Sequence, residues 1–187
     1  MITKTAITAL ALFLCAAGQA AQPALDNDRF TVWDTKEVLP PSGRDFVAVS
    51  LAKEGSALYG HKGDRPGVPG EHTIVISWKD TKTEPLQNPG PYPNAFPRAH
   101  TKKLFENDNV IVWDTRWMPG EPTPVHFHDK DALVVYESVG VLKSTTPDGK
   151  SEEFPVKVGG IRFGTRGRTH SEVLVSGRAH AVITELK

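Results

Sequence analysis

A nine-residue stretch of this chain occurs twice, eighty residues apart. Residues 27–35 (NDRFTVWDT) and 107–115 (NDNVIVWDT) are identical at six of nine positions. An internal repeat indicates that one structural unit is present in two copies, so two related halves are predicted. The alternative is a chance match between two short strands. Because the repeated residues are β-branched and aromatic, the repeated element is predicted to be a strand.

The rest of the chain has the same β character. Apolar bursts typical of strands occur at 46–49, 73–76 and 110–113, and residues 147–149 (Pro-Asp-Gly) indicate the turn of a hairpin. The 15 prolines and 16 glycines are spread along the chain, and no long segment has helical periodicity. An all-β fold of short strands is therefore predicted, and a helical bundle is excluded.

Composition narrows the class of partner. The chain has 22 Lys plus Arg and 22 Asp plus Glu, and these charges show no basic cluster. A nucleic-acid partner is therefore not expected. With 39% hydrophobic and 24% charged residues the chain can bury a core, which argues against intrinsic disorder. A small-molecule ligand or substrate is the expected partner.

The first twenty residues have the pattern of a secretory signal. Lys4 precedes an apolar run at 6–17, and small residues, Gly18 and Ala20, stand at the two positions that a signal peptidase reads before cleavage after Ala20. The run is too short for a permanent transmembrane helix, so no stable membrane insertion is expected; a retained anchor or a lipid-modified Cys15 are the alternatives. A periplasmic or secreted protein is predicted. Its mature form would lack cysteine and hence disulfides.

A proline-rich segment separates the two halves. Five prolines fall within residues 85–97, and a stretch missing so many backbone donors cannot lie inside a sheet. It is predicted to be a stiff, extended connector. The predicted organisation is a signal peptide at 1–20, a degenerate half plus connector at 21–99, and a second half at 100–187.

Candidate metal ligands concentrate in the second half. His126 and His128 are two residues apart, so on a strand they point to the same face and can converge on one ion. His170 follows a glycine-rich turn that could bring in a third imidazole from a neighbouring strand. Two hydrogen-bonded surface histidines would explain the pair about as well.

The spacing of these residues resembles the first motif of the cupin superfamily. That motif is glycine, five residues, HxH, three or four residues, glutamate, six residues, glycine. Gly120, His126, His128 and Gly140 keep the spacing, whereas Leu133 stands at the glutamate position, or Ala132 in the shorter version.

The second cupin motif is also matched in part. It is glycine, five residues, proline, one residue, glycine, two residues, histidine, three residues, asparagine. Gly159, Gly167 and His170 match it, whereas Thr165 replaces the proline and Leu174 the asparagine. The resemblance covers 107–187 well and the first half only through the repeat. It implies an RmlC-like double-stranded β-helix, or jelly-roll barrel, and a homodimer, since cupins often pair through edge strands.

The resemblance further implies that His126, His128 and His170 are metal ligands inside the barrel and that the family's fourth ligand, a carboxylate, is absent. Three neutral imidazoles suit Fe, Zn, Ni or Cu, and also Co, better than Mg or Ca. Metal occupancy is expected to fall below about pH 6.5, the ordinary histidine value. The alternatives are a replacement carboxylate from Asp129 or Asp131, and a degenerate, metal-free barrel.

Two classes of function are compatible with these residues. The all-histidine set resembles that of cupin thiol and diketone dioxygenases, which favours a metal-dependent, dioxygenase-like enzyme acting on a small molecule. The alternative is a non-catalytic protein that binds or senses a small ligand. Tyr136, Arg162 and Trp117 are the candidate substrate contacts. No catalytic residue is assigned, and His61, His72, His100 and His180 show no paired spacing and are interpreted as surface or core residues.

Overall fold

The structure, a computed structural model, describes residues 22–79 and 84–187. The predicted signal at 1–20, with Lys4 and Cys15, lies outside the described residues. Within the described ranges every regular element is a β-strand, and no helix there is long and apolar enough to cross a membrane. The predicted all-β class is confirmed.

The first half forms one five-stranded antiparallel sheet, called here the N-terminal sheet. Its strands are β1 (Leu25–Asp26), β2 (Phe30–Thr35), β3 (Phe46–Ser50), β4 (Ala57–Gly60) and β5 (Thr73–Trp78). They lie in the order β1–β2–β5–β3–β4. The apolar bursts at 46–49 and 73–76 fall in β3 and β5, where alternate side chains face the two sides of the sheet.

The second half forms two sheets that face each other. The strands are β6 (Thr101–Glu106), β7 (Val110–Trp117), β8 (His126–Phe127), β9 (Ala132–Tyr136), β10 (Gly140–Thr145), β11 (Ser151–Val156), β12 (Ile161–Gly164), β13 (Thr169–Gly177) and β14 (Ala179–Leu186). The central sheet has the order β12–β9–β14–β7–β6, and the histidine sheet the order β11–β10–β13–β8. The predicted hairpin turn at 147–149 joins β10 to β11, with Gly149 at φ 85°.

A common apolar core fills the space between these two sheets. Trp113, Trp117 and Ile183 from the central sheet pack in one cluster with Leu142 and Leu174 from the histidine sheet. Strands of one sheet alternate in sequence with strands of the other, as in a jelly roll. The predicted double-stranded β-helix barrel is confirmed for the second half.

The N-terminal sheet repeats the central sheet strand for strand. The order β1–β2–β5–β3–β4 corresponds to β6–β7–β14–β9–β12, with β2 and β7 carrying the sequence repeat. Both copies begin with the same turn. The Asn27 side-chain oxygen accepts the Phe30 N–H at 2.8 Å, and the Asn107 oxygen accepts the Val110 N–H at 2.9 Å. The repeat is therefore structural as well as sequential.

An aspartate–histidine pair is also duplicated. His72 Nε2 lies 2.5 Å from Asp34 Oδ1 in the first half, and His180 Nε2 contacts Asp114 Oδ1 in the second. Each aspartate is paired with a residue on the neighbouring strand, and in both sheets the histidine lies two positions before that residue. His180 is buried and His72 is half-buried, and each pairs with an aspartate across strands that are distant in sequence.

The first half has no counterpart of the histidine sheet among its described residues. Between β3 and β4 the chain has six residues (51–56), whereas between β9 and β12 it has 24 (137–160), which form β10 and β11. Residues 22–79 likewise contain no equivalents of β8 and β13, the strands that carry His126 and His170. The first half is one sheet of a barrel, which explains why it lacks the histidine pair.

The N-terminal sheet covers the outer face of the central sheet. A single buried cluster contains side chains from equivalent positions of the two sheets: Phe30 and Val110, Val32 and Val112, Ile74 and Val182, Trp78 and Leu186. The central sheet is consequently buried on both faces, in agreement with the wholly buried pattern of β14. The molecule has three layers, and the two halves share a core. The domain boundary at residues 99 and 100 stays a prediction.

The proline-rich connector runs along the edge of the histidine sheet. It forms no strand in its described part, but the Ala95 N–H donates to the Phe127 carbonyl and the Phe127 N–H donates to the Pro93 carbonyl, both at 2.8 Å. Phe96 stacks on Trp113, with ring centroids 5.1 Å apart. The connector therefore brings the next residues, including Arg98, to the barrel.

Candidate metal centre

Two paired strands position the three histidines. His126 on β8 lies directly opposite His170 on β13, and His128 follows two residues after His126. The main chain of Phe127, between them, is hydrogen-bonded to the connector. All three histidines are buried. The alternation of side chains along β8 explains why residues 126 and 128 share a face.

The ligating nitrogens of the three imidazoles converge. One ring nitrogen from each lies within 4.8 Å of the others, and the Nε2 atoms of His128 and His170 are 3.0 Å apart. Metal–imidazole bonds of about 2.0–2.1 Å separate neighbouring nitrogens by about 3.0–3.4 Å in octahedral or tetrahedral geometry. The three side chains therefore fit a divalent transition metal.

Hydrogen bonds on the far side of the rings orient two of them. His126 Nδ1 donates to the Pro124 carbonyl at 2.8 Å, so its Nε2 carries the lone pair. His170 Nδ1 is 2.9 Å from the Ser144 hydroxyl. His128 Nδ1 is buried and has no hydrogen-bond partner among the described residues. Such contacts set the tautomer that presents Nε2 to a metal.

The electrostatic environment keeps the imidazoles neutral. Burial, followed by the charge of Arg98, lowers the pKa of His126 to about 4. Burial also lowers the pKa of His128 and of His170, and neighbouring arginines add to the effect. At neutral pH each ring is thus unprotonated at one nitrogen, which is the form that binds metals.

Arg98 contacts the cluster, and sequence reasoning did not single it out. Its Nη1–H group lies 2.9 Å from His126 Nε2, and its Nη2 lies 3.5 Å from a Glu172 oxygen. Its side chain is only 7% exposed. Because one lone pair cannot serve both a hydrogen bond and a metal, the Arg98 contact and metal binding at His126 exclude each other. Arg98 follows the connector, and no local pattern indicates that it enters the barrel.

The structure decides which residue occupies the family's glutamate position. Ala132 lines the cavity beside the histidines, whereas Leu133 packs into the core shared with the N-terminal sheet. Since adjacent strand residues face opposite sides, only Ala132 occupies the cavity position. A methyl group therefore replaces the family's carboxylate there.

A different carboxylate lies in the same cavity. Glu172, two residues after His170 on β13, accepts a hydrogen bond from Trp117 Nε1 at 3.0 Å. Although burial favours its neutral form, His170, Arg98 and the Trp117 N–H hold the pKa of Glu172 below its ordinary value. It lies outside the convergent metal cluster. Alternation along β13 from His170 was the signal that could have found it.

The two aspartates considered as replacement ligands are engaged elsewhere. Asp129 forms an ion pair with Lys130 at 2.6 Å, and Asp131 forms one with Arg29 at 2.8 Å. Asp131 also accepts the Arg166 N–H at 2.8 Å. Neither belongs to the convergent cluster. In this structure the candidate metal centre is therefore an all-histidine site.

The candidate substrate contacts all lie on one wall. Tyr136, Arg162 and Trp117 line the same cavity, of about 30 Å³, as the histidines. Burial raises the pKa of Tyr136 well above its ordinary value, so its hydroxyl is protonated. A wider cleft of about 640 Å³ is also lined by Tyr136 and Arg162. A ligand in that cleft would contact two of the residues that enclose the histidines.

The chain resembles known proteins mainly over half of its length. It is 33% identical over 94 residues to the beta-alanine degradation protein BauB of Pseudomonas aeruginosa, a match that spans 49% of this chain and 96% of BauB. A cupin domain of Bordetella pertussis is 28% identical over 51% of this chain and 96% of its own, with a TM-score of 0.44. A cupin 2 conserved barrel domain protein of Leptotrichia buccalis is 15% identical over 87% and 86%, with a TM-score of 0.46. No protein-family model matches the chain.

Two facing sheets closed around a histidine cluster define a double-stranded β-helix barrel with a candidate metal site. The likeness to BauB extends over nearly all of that relative. The chain belongs to the cupin superfamily.

The contact between Arg98 and His126 leads to a prediction about metal affinity. Replacing Arg98 by Met removes both a donor that competes for the His126 lone pair and a positive charge beside the site. We expect zinc affinity to rise by about tenfold or more, since like charges a few ångströms apart repel strongly when partly buried. Competition with a chromophoric chelator measures the change, and Arg116→Met on the exposed side of β7 is the control. Equal affinities of the Arg98 variant and the wild type would contradict this role.

Proposed function

We propose that the protein binds one divalent metal ion, Fe, Zn, Ni or Cu, through His126, His128 and His170 and acts as a metal-dependent enzyme on a small molecule. The observation that carries the proposal is the convergence of three buried, neutral imidazoles. Three neutral ligands leave the ion its full charge and open positions, so it would supply Lewis-acid or redox chemistry.

Dioxygenase-like chemistry is the leading reaction type. It is favoured by the all-histidine ligand set, because Ala132 supplies no carboxylate at the family's fourth position. Trp117 and Tyr136 would shield the site from water, and Glu172 could accept a proton from a bound substrate. If zinc or nickel is the native ion, hydrolysis, isomerisation or lyase chemistry becomes the better proposal.

The relative BauB supports a role with small molecules. Its name assigns it to the degradation of beta-alanine, which is a small amino acid. We propose the same class of ligand for this chain, namely a small molecule of a size that the cavity and the adjoining cleft admit.

Metal analysis tests the proposal directly. We expect protein purified without chelator or affinity nickel to contain about one transition-metal ion per chain, with oxygen consumption when iron is the ion and a substrate is present. Protein that stays metal-free after incubation with iron, zinc, nickel and copper would overturn the proposal.

One observation favours a non-catalytic alternative. The Arg98 N–H occupies the lone pair of His126 at 2.9 Å, so this imidazole has a hydrogen-bond partner that needs no metal. In that case the protein would bind or sense a small ligand in its cavity. A metal-free protein that nevertheless binds small molecules would support this alternative.

We further propose that the protein is exported to the periplasm or secreted. The basis is the sequence pattern of residues 1–20, in which an apolar run follows Lys4. Mass spectrometry of the protein from its native host is expected to find a mature chain that begins at or near Ala21. An intact Met1 or a lipid-bearing Cys15 would contradict this.

A homodimer, implied only by the cupin resemblance, is also proposed.

The lowered histidine pKa values lead to a prediction about pH. A proton and a metal compete for the same nitrogen, and burial with the charge of Arg98 lowers the pKa of His126 to about 4. Metal occupancy is therefore expected to persist from about pH 8 to about pH 5 and to fall toward about pH 4, rather than near the ordinary value of about 6.5.

The folding stability of the metal-free protein should also depend on pH in this acidic range. Unfolded histidine takes up protons below about pH 6.5 and the buried rings do not, so the metal-free protein loses stability between about pH 6.5 and 4. Metal retained after dialysis, measured across this range, checks the first prediction. A midpoint near pH 6.5 would indicate that the imidazoles are more accessible to water than the structure shows.

A further inference from the structure

The cavity beside the histidines carries an excess of positive charge. Arg98, Arg162 and Arg168 all line it, from the end of the connector, from β12 and from the turn before β13. Among the described lining residues, Glu172 is the one carboxylate. Three guanidinium groups thus face one acid, before the charge of any metal ion is added.

Two of these guanidinium groups have no acidic partner. Arg98 lies 3.5 Å from Glu172, but in the part of the chain that the structure describes no carboxylate lies within 4 Å of Arg162 or Arg168. Arg162 stacks over the ring of Phe154 at 3.9 Å, and Arg168 Nε donates to the Thr165 carbonyl at 2.8 Å. A partly buried charge without a counter-ion is costly, so such groups indicate a site for an anion.

The Arg168 guanidinium packs against the backbone of a glycine, Gly164. A Cβ atom at Gly164 would lie 2.1 Å from Arg168 Nη2 and 2.5 Å from its Cζ, so the guanidinium packs against the backbone of Gly164 and a methyl group there would displace it. Gly164 is buried on β12, next to the cavity. The absence of a side chain at Gly164 therefore leaves the space that the Arg168 guanidinium occupies at the cavity.

We propose that Arg162 and Arg168 bind the carboxylate of a small monoanionic substrate beside the histidine cluster. This inference rests on the proposed function and names its substrate class. A guanidinium matches a carboxylate through two parallel hydrogen bonds. When a metal takes the lone pair of His126, the Arg98 N–H group loses that acceptor and becomes a third donor.

Size and charge restrict the anion. The cavity of about 30 Å³ has room for a group about the size of a carboxylate. The rest of the ligand would lie in the wider cleft, which Tyr136 and Arg162 also line. The positive charge of the three guanidinium groups selects an anion, and the small volume favours a carboxylate over a larger group such as a phosphate monoester.

Calorimetric titration with propionate tests the inference, with propionamide as the neutral isostere. At low ionic strength, propionate should bind both the zinc-loaded and the metal-free protein, and propionamide at least tenfold more weakly. Arg162→Gln and Arg168→Gln should each weaken propionate binding at least tenfold with zinc content unchanged. Arg116→Gln, which removes an exposed arginine outside the cavity, should have no effect.

A second variant retains every charge. Gly164→Ala should displace Arg168 and reproduce the loss of propionate binding, with folding checked by circular dichroism. Binding of propionamide as tight as that of propionate, or arginine variants that bind like the wild type, would overturn the inference. So would propionate binding that requires zinc and ignores both arginines. Arginine-dependent binding to a protein that takes up no metal would support this inference while the proposed function fails.

Discussion

Alanine in place of His126, His128 or His170 is expected to lower zinc affinity by at least about a hundredfold. Each variant removes one of three converging nitrogens, and the two that remain cannot hold the ion in the same geometry. Competition against a chelator of known affinity measures the loss. Thermal unfolding gives a second readout, since an ion that binds only the folded state raises the melting temperature of the wild type and not of the variants.

An exposed histidine provides the matched control. His100 pairs with Glu121 at 2.9 Å on the surface, away from the cluster, so His100→Ala should bind zinc as the wild type does. If the three cluster variants retained wild-type affinity, or if His100→Ala lost affinity equally, zinc would be binding elsewhere. The three histidines would then not form a metal site, and the non-catalytic, ligand-binding alternative would be supported.

The second large effect is expected at the interface between the two halves. Ile74→Asp places a carboxylate in the core shared by the N-terminal and central sheets, where Ile74 is fully buried near Val182. We expect the free energy of unfolding to fall by more than about 4 kcal/mol, because the variant buries an unpaired charge and removes an apolar side chain from the core. Leu58→Asp is the control, because Leu58 is 69% exposed on β4. Urea denaturation measures both.

The same core predicts how the whole chain unfolds. A fragment of residues 99–187 would expose the outer face of the central sheet, including Val110, Val112 and Leu133, and should aggregate or lose cooperative folding. The full chain should unfold in one transition. Two resolved transitions, or a soluble fragment that folds cooperatively, would show that the halves are independent domains.

The local sequence pattern was sufficient to predict the strands and part of the candidate metal site. Short apolar bursts with turn residues between them predict strands because backbone sterics and side-chain alternation act over a few residues. The same alternation puts His126 and His128 on one face before any fold is known. The glycine spacing around His170 allowed its association with the pair through resemblance to the cupin motifs.

The other contacts of the site join residues that are far apart along the chain. Arg98 reaches His126 across 28 positions, and Trp117 reaches Glu172 across 55. Neither contact has a local signature, because both depend on where the connector and the two sheets meet. The position of the missing glutamate could not be assigned either, since a one-residue shift between Ala132 and Leu133 exchanges the cavity face for the shared core.

The all-β class, the repeated strand and the shared face of the histidine pair could be predicted from local sequence, because these depend on chain periodicity and turn chemistry. That the described part of the first half forms a single sheet, and that the candidate site is a histidine cluster beside Arg98 and Glu172, depends on tertiary packing. Packing between sheets joins distant segments through non-directional burial of apolar surface, which local sequence does not encode.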